Sequence, residues 1–137
     1  MDAITVYTRI NASLEEVWRL FTTAEDIEQW NTASEDWHTT AASNDLQVGG
    51  KFNYRMEAKD GSFGFDFWGI YNTIEDFKKL EYTLGDGRKV RVGFEFTGTE
   101  TIVTETFETE DENPVEMQQF GWQAILDNFK KHVENQQ

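Results

Sequence analysis

Residues 89–134 read KVRVGFEFTGTETIVTETFETEDENPVEMQQFGWQAILDNFKKHVE, and the change of period inside that stretch decides the fold. Val90, Val92, Phe94 and Phe96 alternate with polar or small residues, the two-residue period of a strand with one buried face. Thr97-Gly98-Thr99 turns the chain into a second strand that carries Val103, Glu105 and Phe107 on one side. An acidic loop follows over 108–112. Asn113-Pro114 then opens a helix, with Asn as the capping residue, proline at the first helical position and Glu116 in the first turn. That helix runs to about Glu134, roughly 30 Å at 1.5 Å per residue. Val115, Gln118, Trp122, Ile125, Leu126, Phe129 and Val133 share its inner face.

Working back toward the N-terminus, the same two-residue period recurs. Leu80, Tyr82 and Leu84 alternate before a Gly85-Asp86-Gly87 turn. A strand from Phe63 to about Ile74 puts Phe63, Phe65 and Phe67 on one side, and Asp60-Gly61 joins it to Lys51–Ala58, where Phe52, Tyr54 and Met56 share a face. Residues 31–45 read as a polar loop containing Trp37 and then a strand near His38–Ala42. Ile4, Val6, Thr8 and Ile10 form a first strand, and Ser13 with Glu16 is a capping box opening a short helix through Phe21. Thr23 and Asp26 start a second short helix that ends near Trp30. The order is strand, two short helices, a meander bringing the total to six or seven strands, and a long helix. An antiparallel sheet with helices on one side is an α+β architecture, and a long sheet that coils around one helix has a concave face. No repeat or linker interrupts residues 1–137, which read as one domain.

Composition narrows the function. The chain holds 11 Phe, 5 Trp and 4 Tyr, a heavy aromatic load that implies a bulky core or an aromatic-lined pocket. A net charge of -14 repels phosphate backbones and anionic headgroups, so no nucleic acid or membrane surface is expected as a partner. The absence of cysteine removes disulfides, thiolate chemistry and zinc–sulfur sites. The opening Met-Asp-Ala-Ile-Thr-Val-Tyr lacks the basic and apolar regions of a signal peptide, and no stretch reaches membrane-spanning length. A cytoplasmic location is expected. Asn11-Ala12-Ser13 is therefore read as a helix start rather than a glycosylation site.

Several of these segments together resemble a known family. Asn11-Ala12-Ser13-Leu14-Glu15-Glu16-Val17-Trp18 is similar to the helix start of the START-like (SRPBCC) superfamily, in the branch of homologues of the heat-shock-protein ATPase activator. Trp30, Leu46-x-Val48-Gly49-Gly50-Lys51-Phe52, Asp60-Gly61, Gly69 with Ile74, Leu80-x-Tyr82-Thr83, Gly98-Thr99 and Gly121-Trp122 continue the match in order along the chain. The resemblance implies a helix-grip fold, a curved antiparallel sheet wrapped around a C-terminal helix, with a hydrophobic cavity between them. It also implies a lipid-like, polyketide-like or other apolar ligand, and in a minority of members a cyclisation or related reaction. Two positions depart from the family pattern. The proline usual after the Gly69–Ile74 segment is replaced by Glu75-Asp76-Phe77, and Glu105 stands where many members carry histidine at the end of the last strand.

The candidate binding set is Trp30, Trp37, Tyr54, Met56, Phe65, Phe67, Tyr82, Phe94, Glu105, Phe107, Gln118, Trp122 and Ile125. Inward-facing aromatics in such a set either fill the core or line a pocket. Trp30 and Trp37 flank the polar loop, where one of them forms a lid or both cap the core edge. Glu105 falls on the face of Val103 and Phe107, and Gln118 on the face of Trp122. Together with Tyr54 and Tyr82 they orient a ligand's polar end, or else they form a structural pair with Arg55 or Arg91. No catalytic triad, metal-ligand cluster or phosphate loop is present, and neither cofactor nor metal is expected. His38 lies near a loop and His132 lies off the helix's apolar stripe. The leading function is binding of an apolar small molecule. The rivals are an enzyme with Glu105 as acid or base, and a chaperone co-factor, which is not expected of a domain lacking the usual second half.

Overall fold

The computed structural model describes residues 3–136. The first two residues of the N-terminal stretch and the last residue of the expected 1–137 domain lie outside the described residues. Strand β1 (Ala3–Ile10) leads through helices α1 (Leu14–Thr22) and α2 (Ala24–Trp30) into six further strands. These are β2 (Trp37–Asn44), β3 (Lys51–Ala58), β4 (Gly64–Glu75), β5 (Lys79–Leu84), β6 (Lys89–Phe96) and β7 (Thr101–Glu108), followed by α3 (Val115–Asn135). All seven strands form one sheet in the order β1-β7-β6-β5-β4-β3-β2, every pair antiparallel. The expected α+β grip around a C-terminal helix is the observed fold. The meander runs from β2 to β7, and β1 closes beside β7 after the helical excursion.

Local chemistry explains most boundaries. Ser13 caps α1 by accepting from the Glu16 amide at 3.2 Å. The second half of the expected capping box is not made, because the Glu16 carboxylate turns to Arg19 instead. Thr23 precedes α2, but its hydroxyl donates back to the Arg19 carbonyl at 2.6 Å rather than capping forward. In α3 the cap position falls to Pro114, one residue beyond the Asn expected there, and Val115 is the first helical residue. Strand β2 extends past the expected His38–Ala42, since the polar stretch over 37–44 pairs with β3 across a bulge at Thr40.

Two features give the sheet its hollow. A bulge in β4 between Tyr71 and Thr73 turns the alternation, so that Tyr71 and Ile74, three residues apart, face Tyr82 and Leu80 in the next strand. Gly69 opposes Phe52 across β3 and β4, where a Cβ would lie 2.8 Å from the Phe52 ring; glycine lets that ring fold over the backbone. The core gathers where the three helices meet the sheet. Phe129 of α3, wholly buried, packs edge-on against Phe21 of α1 at 5.1 Å and Trp30 of α2 at 4.8 Å. The Trp30 indole N–H donates to the Leu20 carbonyl at 3.1 Å. His132 Nε2 lies 2.9 Å from Asp26 Oδ1 and ties α3 to α2.

Candidate ligand cavity

A cavity of about 390 Å³ lies between the concave face of the sheet and α3. The sheet contributes Tyr54, Met56, Phe65, Phe67, Tyr71, Leu80, Tyr82 and Glu105. Met117, Gln118, Gly121, Trp122 and Ile125 of α3 form the opposite wall, and Phe21 and Trp30 close the end beneath the short helices. Helical spacing makes this wall: positions 118, 121, 122 and 125 recur at three- and four-residue intervals on one face. Strand alternation makes the other, because Tyr54, Met56, Phe65 and Phe67 sit opposite one another in register on one face of β3 and β4.

Of the thirteen candidate residues, the structure brings ten together in the lining. Three lie elsewhere. Phe94 is packed edge-on against Trp18 at 5.0 Å and Phe21 at 5.3 Å, so it serves the core beneath α1. Phe107 is fully buried and stacks face to face on Trp122 at 4.1 Å, holding that indole from behind. Trp37 contacts Phe63 and Phe65, bracing the cavity's outer end without entering the lining. Trp30 is buried at the inner end, so neither tryptophan forms a lid.

Tyr71 lines the cavity although it stands outside the candidate set. The alternation Phe65, Phe67, Gly69, Tyr71 carries the signal for it. Its hydroxyl donates to Asn44 Oδ1 at 2.6 Å, and Asn44 Nδ2 in turn donates to the Thr22 carbonyl at 2.8 Å. This chain anchors the tyrosine to the end of α1. Met117, Gly121, Arg88 and Glu110, also missed, come from the first turns of α3 and the loops at the mouth.

The polar groups of the cavity divide into those bonded to the protein and those open to the cavity. Gln118 belongs to the first. Its amide nitrogen donates to the carbonyls of Glu110 (3.0 Å) and Asn113 (2.8 Å), and its oxygen accepts the Glu110 N–H at 3.0 Å. The expected role of Gln118 as a ligand anchor gives way to a structural one: both amide protons are used in fastening the 108–114 loop to α3. Arg88 Nε pairs with Asp86 at 2.8 Å. Asn31 is satisfied by Thr39, donating to its hydroxyl at 3.1 Å.

Glu105, Tyr54 and Tyr82 form the second set. Among the described residues, no side chain or backbone group hydrogen-bonds to the Glu105 carboxyl or to either phenol, and all three open into the cavity. The expected structural alternative is overturned. Arg55 pairs with Glu57 and Asp66, Arg91 lies exposed, and neither reaches Glu105. The cause is register. Glu105 stands between Val6 of β1 and Val92 of β6, with Val103 and Phe107 two residues away along its own strand. That collar is entirely apolar and strips water from the carboxyl, which is 7% exposed, so burial pushes its pKa up to about 8. Burial first, then mutual repulsion with neighbouring acidic groups, also raises Tyr54 and Tyr82. With their pKa values raised in this way, the three present O–H groups to the cavity at neutral pH.

Among the described residues, no group of three or more His, Asp or Glu is placed to hold a metal, and no helix is long and apolar enough to cross a membrane.

Residues 11–134 match the sequence profile described as activator of Hsp90 ATPase homolog 1-like protein. A solution structure of an AHSA1-like protein from Aeromonas hydrophila is 44% identical, covers 98% of this chain and 94% of its own, and superposes with a TM-score of 0.93. Chr148 from Cytophaga hutchinsonii is 48% identical over 97% of this chain and 92% of its own, with a TM-score of 0.84. Protein CV1439 from Chromobacterium violaceum shares the fold at 20% identity and a TM-score of 0.88, covering 98% of this chain and 99% of its own. Among curated proteins the sequence finds no match.

Proposed function

The chain belongs to the family of activator of Hsp90 ATPase homolog 1-like proteins, and we propose that within it the protein is a binding module for an apolar or amphipathic small molecule. The observation that carries this reading is the cavity itself, about 390 Å³ with walls of tyrosine, phenylalanine, tryptophan and aliphatic side chains. Small-molecule sites are commonly clefts of this order of size, lined by apolar groups with a few polar ones that orient the ligand. Filling such a space removes apolar ligand surface from water at roughly 25 cal/mol per Å². Occupancy of the START-like fold by small ligands is common and agrees with this assignment.

Native mass spectrometry of freshly purified protein tests it, together with thermal shifts across a panel of lipids and aromatic polyketides. The expected result is a co-purified apolar molecule, or a melting temperature that rises with ligand concentration. An empty protein that no panel member stabilises would overturn the reading.

A second reading follows from one observation, the Glu105 carboxyl buried in the cavity lining, where burial pushes its pKa up to about 8. In that reading the carboxyl is a general acid for a bound carbonyl compound, since a group with a pKa near the operating pH is suited to proton transfer. Product formation from a bound ligand by the native protein, abolished by Glu105→Gln with binding retained, is the outcome that distinguishes it.

A further inference from the structure

We propose that the cavity selects ligands whose polar end is a neutral hydrogen-bond acceptor, a ketone, ester or lactone carbonyl, in preference to a carboxylate or an ammonium group. This rests on the binding reading above and concerns what the polar end of that ligand must be.

The argument is one of satisfaction. Tyr71 and Gln118 line the cavity with their polar hydrogens already engaged, Asn31 donates to Thr39, and Arg88 is held at the mouth through its Nε bond to Asp86. The Glu105 carboxyl and the hydroxyls of Tyr54 and Tyr82 line it without a hydrogen bond to any described residue, and they are open to the cavity. They project from alternate strands β3, β5 and β7 onto one concave face, and the two tyrosine rings flank Phe52, at 5.0 and 4.8 Å from it. Each can donate one O–H. A carbonyl oxygen has two lone pairs, so it can accept from two donors at once, and an ester supplies a further acceptor oxygen.

Other polar ends fit less well. A carboxylate would enter a chain of net charge -14 and meet a carboxyl that no cation contacts. An ammonium group would require Glu105 to release the proton that its apolar collar holds. A hydrocarbon would displace water from three O–H groups and return nothing to them, and each polar group left unmet carries a penalty.

The groups facing Glu105 across the cavity are few. Tyr54, Tyr71 and Tyr82 come from the sheet, and α1, α2 and α3 contribute no titratable side chain to the lining. The charged residues at the mouth are Arg88, held by Asp86, and Glu110, whose carboxylate accepts the amide protons of Glu112 and Asn113. Carbonyl binding therefore depends on the protonation of Glu105 and weakens as the pH rises past about 8.

Four probes on one skeleton test this by equilibrium dialysis: methyl naphthyl ketone, ethylnaphthalene, naphthoate and naphthylethylamine. At pH 7 the ketone is expected to bind about tenfold more tightly than the hydrocarbon, as one or two net hydrogen bonds allow. Naphthoate and the amine are expected to bind more weakly than the hydrocarbon. Glu105→Gln keeps a donor in place, so ketone affinity stays within about threefold and loses its decline above pH 8. Glu105→Leu and, independently, Tyr82→Phe lower ketone affinity but not hydrocarbon affinity, since each removes an O–H group that the hydrocarbon leaves unmet, with circular dichroism verifying that each variant is folded. Tightest binding by the amine or by naphthoate overturns the inference, as does loss of ketone binding in Glu105→Gln. Equal affinity for ketone and hydrocarbon overturns it while leaving the cavity reading intact. Failure of every probe, the hydrocarbon included, overturns both.

Discussion

At the scale of single residues, Glu105 concentrates the chemistry of this protein. Its carboxyl lies among Val6, Val92, Val103 and Phe107, and burial raises its pKa from the ordinary 4.5 to about 8. Below 4.5 the group is protonated in both folded and unfolded chains and does not affect their balance. Between 4.5 and about 8 the folded chain keeps a proton that the unfolded chain has released, so stability falls as the pH rises. Above about 8 both forms are ionised and the loss is complete. Denaturant titrations between pH 4 and 9 are expected to show this decline, with a slope of up to about 1.4 kcal/mol per pH unit for one proton. Glu105→Gln should flatten the contribution; an unchanged pH profile in that variant would show that the folded protein ionises Glu105 normally. The inward placement of Glu105 was legible from alternation with Val103 and Phe107. Its lack of a partner was not, because the positions of Arg55 and Arg91 depend on which strands lie beside them.

Among the elements, α3 does two jobs with one face. Its lower half, Leu126, Phe129 and Val133, is buried in the core, and its upper half walls the cavity. Gln118 joins the upper half to the acidic loop through three hydrogen bonds. Gln118→Leu would leave these groups unmet and is expected to cost about 1–3 kcal/mol. Hydrogen exchange should accelerate in residues 108–118 before it does in the sheet. Gly121 is a different case: a Cβ there would meet nothing within 4 Å, so close packing does not require glycine. Gly121→Ala is expected to stabilise the protein by about 0.5–1 kcal/mol, measured by chemical denaturation, since glycine weakens a helix interior. Gly121→Phe should instead occupy the cavity and weaken binding of every naphthyl probe together. Helix and strand types were readable from their periods. The caps were less so: the Thr23 hydroxyl turns back to the Arg19 carbonyl, and the cap of α3 falls to Pro114.

For the whole molecule, the three helices converge on Phe129. It touches Phe21 of α1 and Trp30 of α2 while belonging to α3. Phe129→Ala is expected to cost about 3–5 kcal/mol, the range for deleting a fully buried aromatic side chain. The loss should appear as a lower denaturation midpoint common to fluorescence and circular dichroism, because one core serves all the elements. Separate transitions by the two probes would mean that the helices unfold apart from the sheet.

The sequence by itself determined the order of elements, the antiparallel meander and the inner face of each strand. Those follow from periods of two and three to four residues, from turns and from caps, all of which act between near neighbours in the chain. It also carried the aromatic richness of that face. Only the tertiary structure decided which inward residues meet a cavity and which meet one another. Phe94 and Phe107 face inward as surely as Tyr54 and Tyr82 do, yet the first two are covered by Trp18, Phe21 and Trp122. The sheet's curvature and the seat of α3 set that difference. Periodicity specifies a face, whereas a void depends on the distance between two faces, which packing far along the chain sets.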